Sequence, residues 1–100
     1  MKGKDIKEFT LGAVKWTVKF DNDRMSERKA IGTASFTEST IYLADKHDGI
    51  DIPPDLIDQV FYHELTHSIF DALGYEKLCD NEKLVQSIGL LLHQFETTKR

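Results

Sequence analysis

At 100 residues and 11.5 kDa the chain has room for one domain, expected over residues 1–100 with tails at about 1–5 and 97–100. Its 40% apolar and 30% charged side chains exclude a disordered or membrane-embedded chain. Net charge is −4, with nine basic against eight acidic residues in 1–50 and four against nine in 51–100, the opposite of a nucleic-acid footprint, so no nucleic-acid partner is expected.

Met1-Lys-Gly-Lys-Asp carries no apolar stretch behind its charges, so neither a secretory signal nor a membrane segment is expected. Val14, Trp16, Val18 and Phe20 alternate with Ala13, Lys15, Thr17 and Lys19, a period of two that predicts a strand with one apolar face. Asp21 to Lys29 reads as a solvated connection. Ile31 to Phe36, rich in Thr, Ser and Ala, is a second strand whose weak apolar face suits a sheet edge. Thr40 to Leu43 is a third, and Ala44 to Gly49 is a loop by composition.

Pro53-Pro54 opens a helix, since proline is tolerated in a first turn, and Gly74 closes it. Ile57, Phe61, Leu65 and Ile69 line one side of this helix and Leu56, Val60 and Phe70 another. Only the strip Asp55, Gln59, Tyr62, Thr66 reads as solvated. The single cysteine, Cys79, has no partner for an internal disulfide, and a cytoplasmic location is expected. Asp80 or Asn81 caps a second helix with an apolar stripe of Leu84, Ile88, Leu91 and Phe95, and Thr97 to Arg100 is expected to fray. The longest apolar run, Ile88 to Leu92, is far below the roughly 20 residues that span a bilayer. Strands first and helices after predict an α+β domain with helices on one face of a small sheet.

On the central helix stands His63-Glu64-Leu65-Thr66-His67. Residues four apart lie about 40° apart around a helix and about 6 Å along it, so the two imidazoles project together and can share one ion, with zinc the best fit. Glu64 points about 100° away, outside the ligand set but within reach of a water there, where it can act as general base. With 4 His and 7 Glu in 100 residues, H-E-x-x-H arises by chance in roughly one such sequence in a hundred. The bland alternative is a pair of hydrogen-bonded core histidines flanking a surface glutamate.

A catalytic zinc usually keeps three protein ligands and one open position. Glu82 is the favoured third, because it shares a helix face with Val85, Gly89 and Leu92 that can dock on the central helix, with Gly89 permitting close approach. Cys79 and Asp80 stay open as ligands, and Cys79 alternatively caps the ion in a latent form. Glu82 has its own bland reading, a carboxylate favoured by a helix N-terminus. His93, about 16 Å further along the second helix, cannot reach the same ion, and it and His47 read as surface or helix-terminal residues.

His63-Glu64-Leu-Thr-His67 with the downstream Glu82 resembles the gluzincin metallopeptidases, and the single-domain scale resembles the minigluzincins and the phage- or prophage-encoded zinc peptidases of the ImmA/IrrE type. The resemblance spans about residues 13–96. It implies a zincin-like fold, with a three-stranded sheet packed on the active-site helix and a following helix that brings Glu82 to the zinc. It further implies that the second strand is the edge along which an extended peptide pairs. Gluzincins often carry a carboxylate four residues after the ligand glutamate to orient a zinc-bound histidine; here Gln86 stands there, whose amide oxygen can accept the same bond without charge. Asp71 is an alternative acceptor. Tyr75, Tyr42 and His47 are the oxyanion-stabilising candidates.

The expected function is that of a zinc-dependent metallopeptidase, with zinc on His63, His67 and Glu82 and with Glu64 as base toward a peptide or protein substrate. The alternative is a zinc-stabilised binding or regulatory module without turnover, for instance one that binds a phage repressor, a role resting on family analogy alone.

Overall fold

Gly12 and Ala13, at φ 54° and 68°, reverse the chain between β1 (Glu8–Leu11) and β2 (Val14–Phe20). Left-handed conformation at both turn residues is what a two-residue type I′ hairpin requires. The computed structural model describes residues 5–100, and of the expected tail at about 1–5 residues 1–4 lie outside the described residues. β1 is a strand that the sequence reading lacks, and Ala13 belongs to the turn rather than to the alternation of β2. Phe9 of β1 stacks on Trp16 of β2, ring centroids 6.1 Å apart and 7° from parallel, which extends the core across the added strand. Trp16 and Val18 are buried as the period of two requires, while Val14 and Phe20 at the strand ends are exposed.

Among the described residues the sheet therefore has four strands rather than three, in the order β1-β2-β4-β3. β2 lies parallel to β4 (Thr40–Leu43), and β3 (Gly32–Ser35) pairs antiparallel with β4 and with no other strand of the sheet, so it is an edge, as its weak apolar face suggests. The segment after β2 is not a solvated connection. It forms α1 (Asn22–Glu27), capped by the Asp21 side chain, which accepts from the Arg24 amide at 3.1 Å, and it buries Met25 completely. The expected loop at 44–49 is a small hairpin, β5 (Lys46–His47) with β6 (Ile50–Asp51), turned by Asp48 and Gly49 at φ 50° and 79°. Asn22 ties this hairpin to α1: its Nδ2 donates to Asp45 Oδ1 at 2.8 Å and its Oδ1 accepts from the Asp45 amide at 3.0 Å.

Helix α2 (Pro54–Leu73) has the ends that the sequence predicts, with Gly74 at φ 77° in the left-handed cap and the Tyr75 amide bonded to Phe70 O. Ile57 and Phe61 enter the core against Trp16, Ile41 and Leu43 of the sheet. A one-turn α3 (Glu76–Cys79) leads to α4 (Glu82–Thr98), whose N-cap is Asn81; its Oδ1 accepts from the Leu84 amide at 3.1 Å. α4 does not fray at Thr97: the hydroxyls of Thr97 and Thr98 donate to His93 O and Gln94 O.

α2 packs extensively on α4, and this packing overturns one expectation. Tyr62 and Thr66, placed in the solvated strip, are 5% and 1% exposed. α4 covers them because Gly89 lets the helices meet backbone to backbone; a Cβ there would stand 3.0 Å from His63 Cα and 3.2 Å from Tyr62 C. The docking face of α4 is that of Val85, Gly89 and Leu92, while Leu91 and Phe95 of the expected apolar stripe stay largely exposed. No helix among the described residues is long and apolar enough to cross a membrane.

Candidate metal centre

His63 and His67 project from one face of α2, their rings 5.0 Å apart, and both point Nε2 at the carboxylate of Glu82 on α4. His63 Nε2 lies 3.1 Å from Glu82 Oε2 and His67 Nε2 lies 3.1 Å from Glu82 Oε1. The three residues form a group in which one donor atom of each lies within 4.8 Å of the others, the geometry of a site able to hold a metal ion. The structure thus brings together the three residues that the sequence singles out as ligands. Neither Cys79 nor Asp80 joins the group.

The other face of each ring is also engaged. His63 Nδ1 lies 2.7 Å from Gln86 Oε1, an oxygen that only accepts, so Nδ1 carries a hydrogen. In the neutral ring, Nε2 then presents a lone pair to a carboxylate oxygen. Two acceptors at 3.1 Å repel unless something positive stands between them, which is either a cation or a second ring proton. Gln86 thus stands directly behind His63, with its amide oxygen as the acceptor. Asp71 does not play that part for His67. The Sγ of Cys79 lies 3.5 Å from His67 Nδ1 and donates to His67 O at 3.4 Å, a relationship with no sequence signal because 12 residues and a helix break separate the two.

Glu64 is 8% exposed and faces the β3 edge, where Gly32 leaves room: a Cβ there would collide with the Val60 side chain and stand 3.4 Å from Glu64 Cγ. Burial pushes the Glu64 carboxyl from its ordinary 4.5 up to about 7; His63 opposes the rise, Glu82 adds to it and the Ala34 amide opposes it. The Cys79 thiol is also raised, first by burial and then by the carboxylates of Asp80, Asp71, Glu82 and Glu64, so it stays protonated.

Two grooves flank Glu64. One, of about 220 Å³, is lined by Ile31, Leu56, Val60 and Gln86 beside His63; the other, of about 420 Å³, by Ala34, Phe36, Asp80 and Glu82 beside His67. Tyr42, His47 and Tyr75 line neither. Tyr42 is committed elsewhere, its hydroxyl 3.0 Å from Glu38 Oε1 and its ring under the Arg24 guanidinium at 3.9 Å. His93, expected as a surface or helix-terminal residue, is half-buried, packs on the Tyr62 ring at 6.0 Å and gathers with Asp55 and Asp58 in a second group of possible donors.

No protein-family model, curated protein or solved structure matches the chain.

Proposed function

We propose that the protein is a zinc-dependent metallopeptidase of zincin-like architecture, with His63, His67 and Glu82 as zinc ligands and Glu64 as the general base. The observation that carries this reading is the convergence of two imidazole nitrogens on one carboxylate, 3.1 Å from each, with the Gln86 oxygen holding the hydrogen of His63 on the opposite nitrogen. Ligand atoms around a tetrahedral zinc, with bonds of about 2.0–2.1 Å, lie roughly 3.3 Å from one another, so the spacing suits that ion. Two neutral nitrogens and one carboxylate also suit zinc by chemistry, and they leave one position of a tetrahedron open.

Bound there, zinc supplies Lewis acidity toward a carbonyl oxygen and makes water at the open position easier to deprotonate. The chain's own residues do the rest. Glu64 takes the proton from the attacking water and returns it to the leaving amine. The edge strand β3 has no strand paired on its outer side among the described residues, so an extended peptide can pair there through its backbone, and the grooves on either side of Glu64 then receive the flanking side chains.

One observation favours a second reading, a zinc-stabilised binding module such as a repressor-binding regulator. No Tyr, Lys or Arg among the described residues lines either groove, which leaves neutral groups, among them the amides of Gln59 and Gln86, as the side-chain donors besides the ligands. Incubation of the zinc-loaded protein with an unstructured protein decides between them. A peptidase gives chelator-sensitive cleavage that Glu64→Gln abolishes while zinc stays bound. A binding module shows no cleavage, and its unfolding midpoint still drops on chelation.

A further inference from the structure

The two histidines of the centre are held from behind by different groups. Gln86 Oε1 at 2.7 Å fixes His63, and an amide oxygen leaves no choice about which atom carries the hydrogen. Behind His67 stands a thiol, which both donates and accepts. Its single hydrogen is committed elsewhere, because Cys79 Sγ donates to His67 O at 3.4 Å. The sulfur lone pairs therefore face His67 Nδ1, 3.5 Å away, and can only accept.

We propose that Cys79 is the positioning residue of His67: its sulfur accepts the Nδ1 hydrogen and so turns the Nε2 lone pair toward the ion. This inference rests on the reading of His63, His67 and Glu82 as the zinc site. Cys79 is 6% exposed, which keeps water from replacing the sulfur as acceptor and holds the side chain in one place. Its backbone is equally constrained. Cys79 closes α3, its amide bonded to Tyr75 O at 2.9 Å, and the Gly74 cap of α2 sets where α3 starts. The chain between the second histidine and the third ligand thus does more than connect them, because it delivers the group that orients the histidine. Groups that hold a ligating imidazole in this way typically change metal affinity by about 10–100-fold, and a sulfur acceptor belongs at the weak end of that range.

The test compares wild type, Cys79→Ala and Cys79→Ser, all full-length and zinc-loaded, by zinc competition with a chromophoric chelator and by NMR of the histidine ring N–H groups. Cys79→Ala should bind zinc about tenfold more weakly, and its His67 Nδ1–H signal should be lost to fast solvent exchange. The His63 Nδ1–H signal, held by Gln86, should be unchanged in the same sample, which a general loosening of the fold would not allow. Cys79→Ser, which keeps a donor and an acceptor, should recover most of both. Equal zinc affinity and a retained His67 signal in Cys79→Ala overturn the assignment, as does a Cys79→Ser variant no better than the alanine. If Cys79→Ala does not fold, the wild type decides: a His67 Nδ1–H that exchanges fast while that of His63 is protected overturns the role. A wild type that takes up no zinc overturns the site reading and this role together, whereas the other negative outcomes leave the site reading standing.

Discussion

Gly89 of α4 rests on the backbone of His63, leaving no space for a side chain: a Cβ would stand 3.0 Å from both His63 Cα and N. This contact sets the spacing of α4 and α2. Glu82 lies two turns before Gly89 on the same face of α4, so the spacing also sets where its carboxylate meets the two imidazoles. The opposing atoms are backbone and cannot rotate away. Gly89→Ala should therefore destabilise the fold by about 1–3 kcal/mol, the usual effect of overpacking, and weaken zinc binding as Glu82 moves off the histidines. Urea unfolding and a zinc titration check both; unchanged values in both contradict the close-contact account.

Burial of Glu64 makes the stability of the zinc-free protein depend on pH. The folded carboxyl titrates at about 7 against an ordinary 4.5, so between those values the folded state holds a proton that the unfolded state has released. The contribution of Glu64 to stability thus falls as pH rises from about 4.5 to about 7 and is level above. Glu64→Gln removes this dependence. The zinc-free variant should match wild type near pH 4 and exceed it at pH 8 by up to about 3 kcal/mol. Urea unfolding at the two pH values tests the sign, and a variant less stable than wild type at pH 8 contradicts it.

Gln86 offers a graded test of the hydrogen bond behind His63. Gln86→Leu removes the acceptor at 2.7 Å and should weaken zinc binding by about tenfold. Gln86→Glu restores an acceptor with a charge, which raises the basicity of the imidazole, and should bind zinc at least as tightly as wild type. The chelator competition used for Cys79 measures both, and equal affinity across the three proteins contradicts a role for this contact.

The helix that supplies two ligands also supplies Ile57 and Phe61 to the core, so metal binding and folding share one element. Zinc held at 100 times its dissociation constant should stabilise the protein by about 2.7 kcal/mol, and chelation should remove that increment. Calorimetry with and without chelator reads it directly. A midpoint indifferent to zinc contradicts the coupling.

Features written in local chemistry were legible in the sequence. Pro53 and Gly74 mark both ends of α2, Asn81 caps α4, and the spacing of His63, His67 and Glu82 survives into the structure because each residue sits on a regular helix. β1 was missed because only Phe9 and Leu11 alternate within it and its turn is Gly-Ala rather than Asn-Gly. α1 was missed because five of its six residues are polar, and the single apolar residue, Met25, does not make a periodic pattern. Burial of Tyr62 and Thr66 depends on which face of α4 docks, and glycine, which decides it, has no hydrophobic signal of its own. The Cys79 contact with His67 depends on the path of the chain around Gly74, a property of the assembled turn.

The central claim is that His63, His67 and Glu82 hold one zinc ion. Native mass spectrometry of wild type, His67→Ala and Glu82→Ala, each exposed to equal zinc, measures this directly. One zinc per wild-type chain and a marked loss of bound zinc in both variants is the predicted result. Undiminished zinc in Glu82→Ala, or none in wild type, would contradict it.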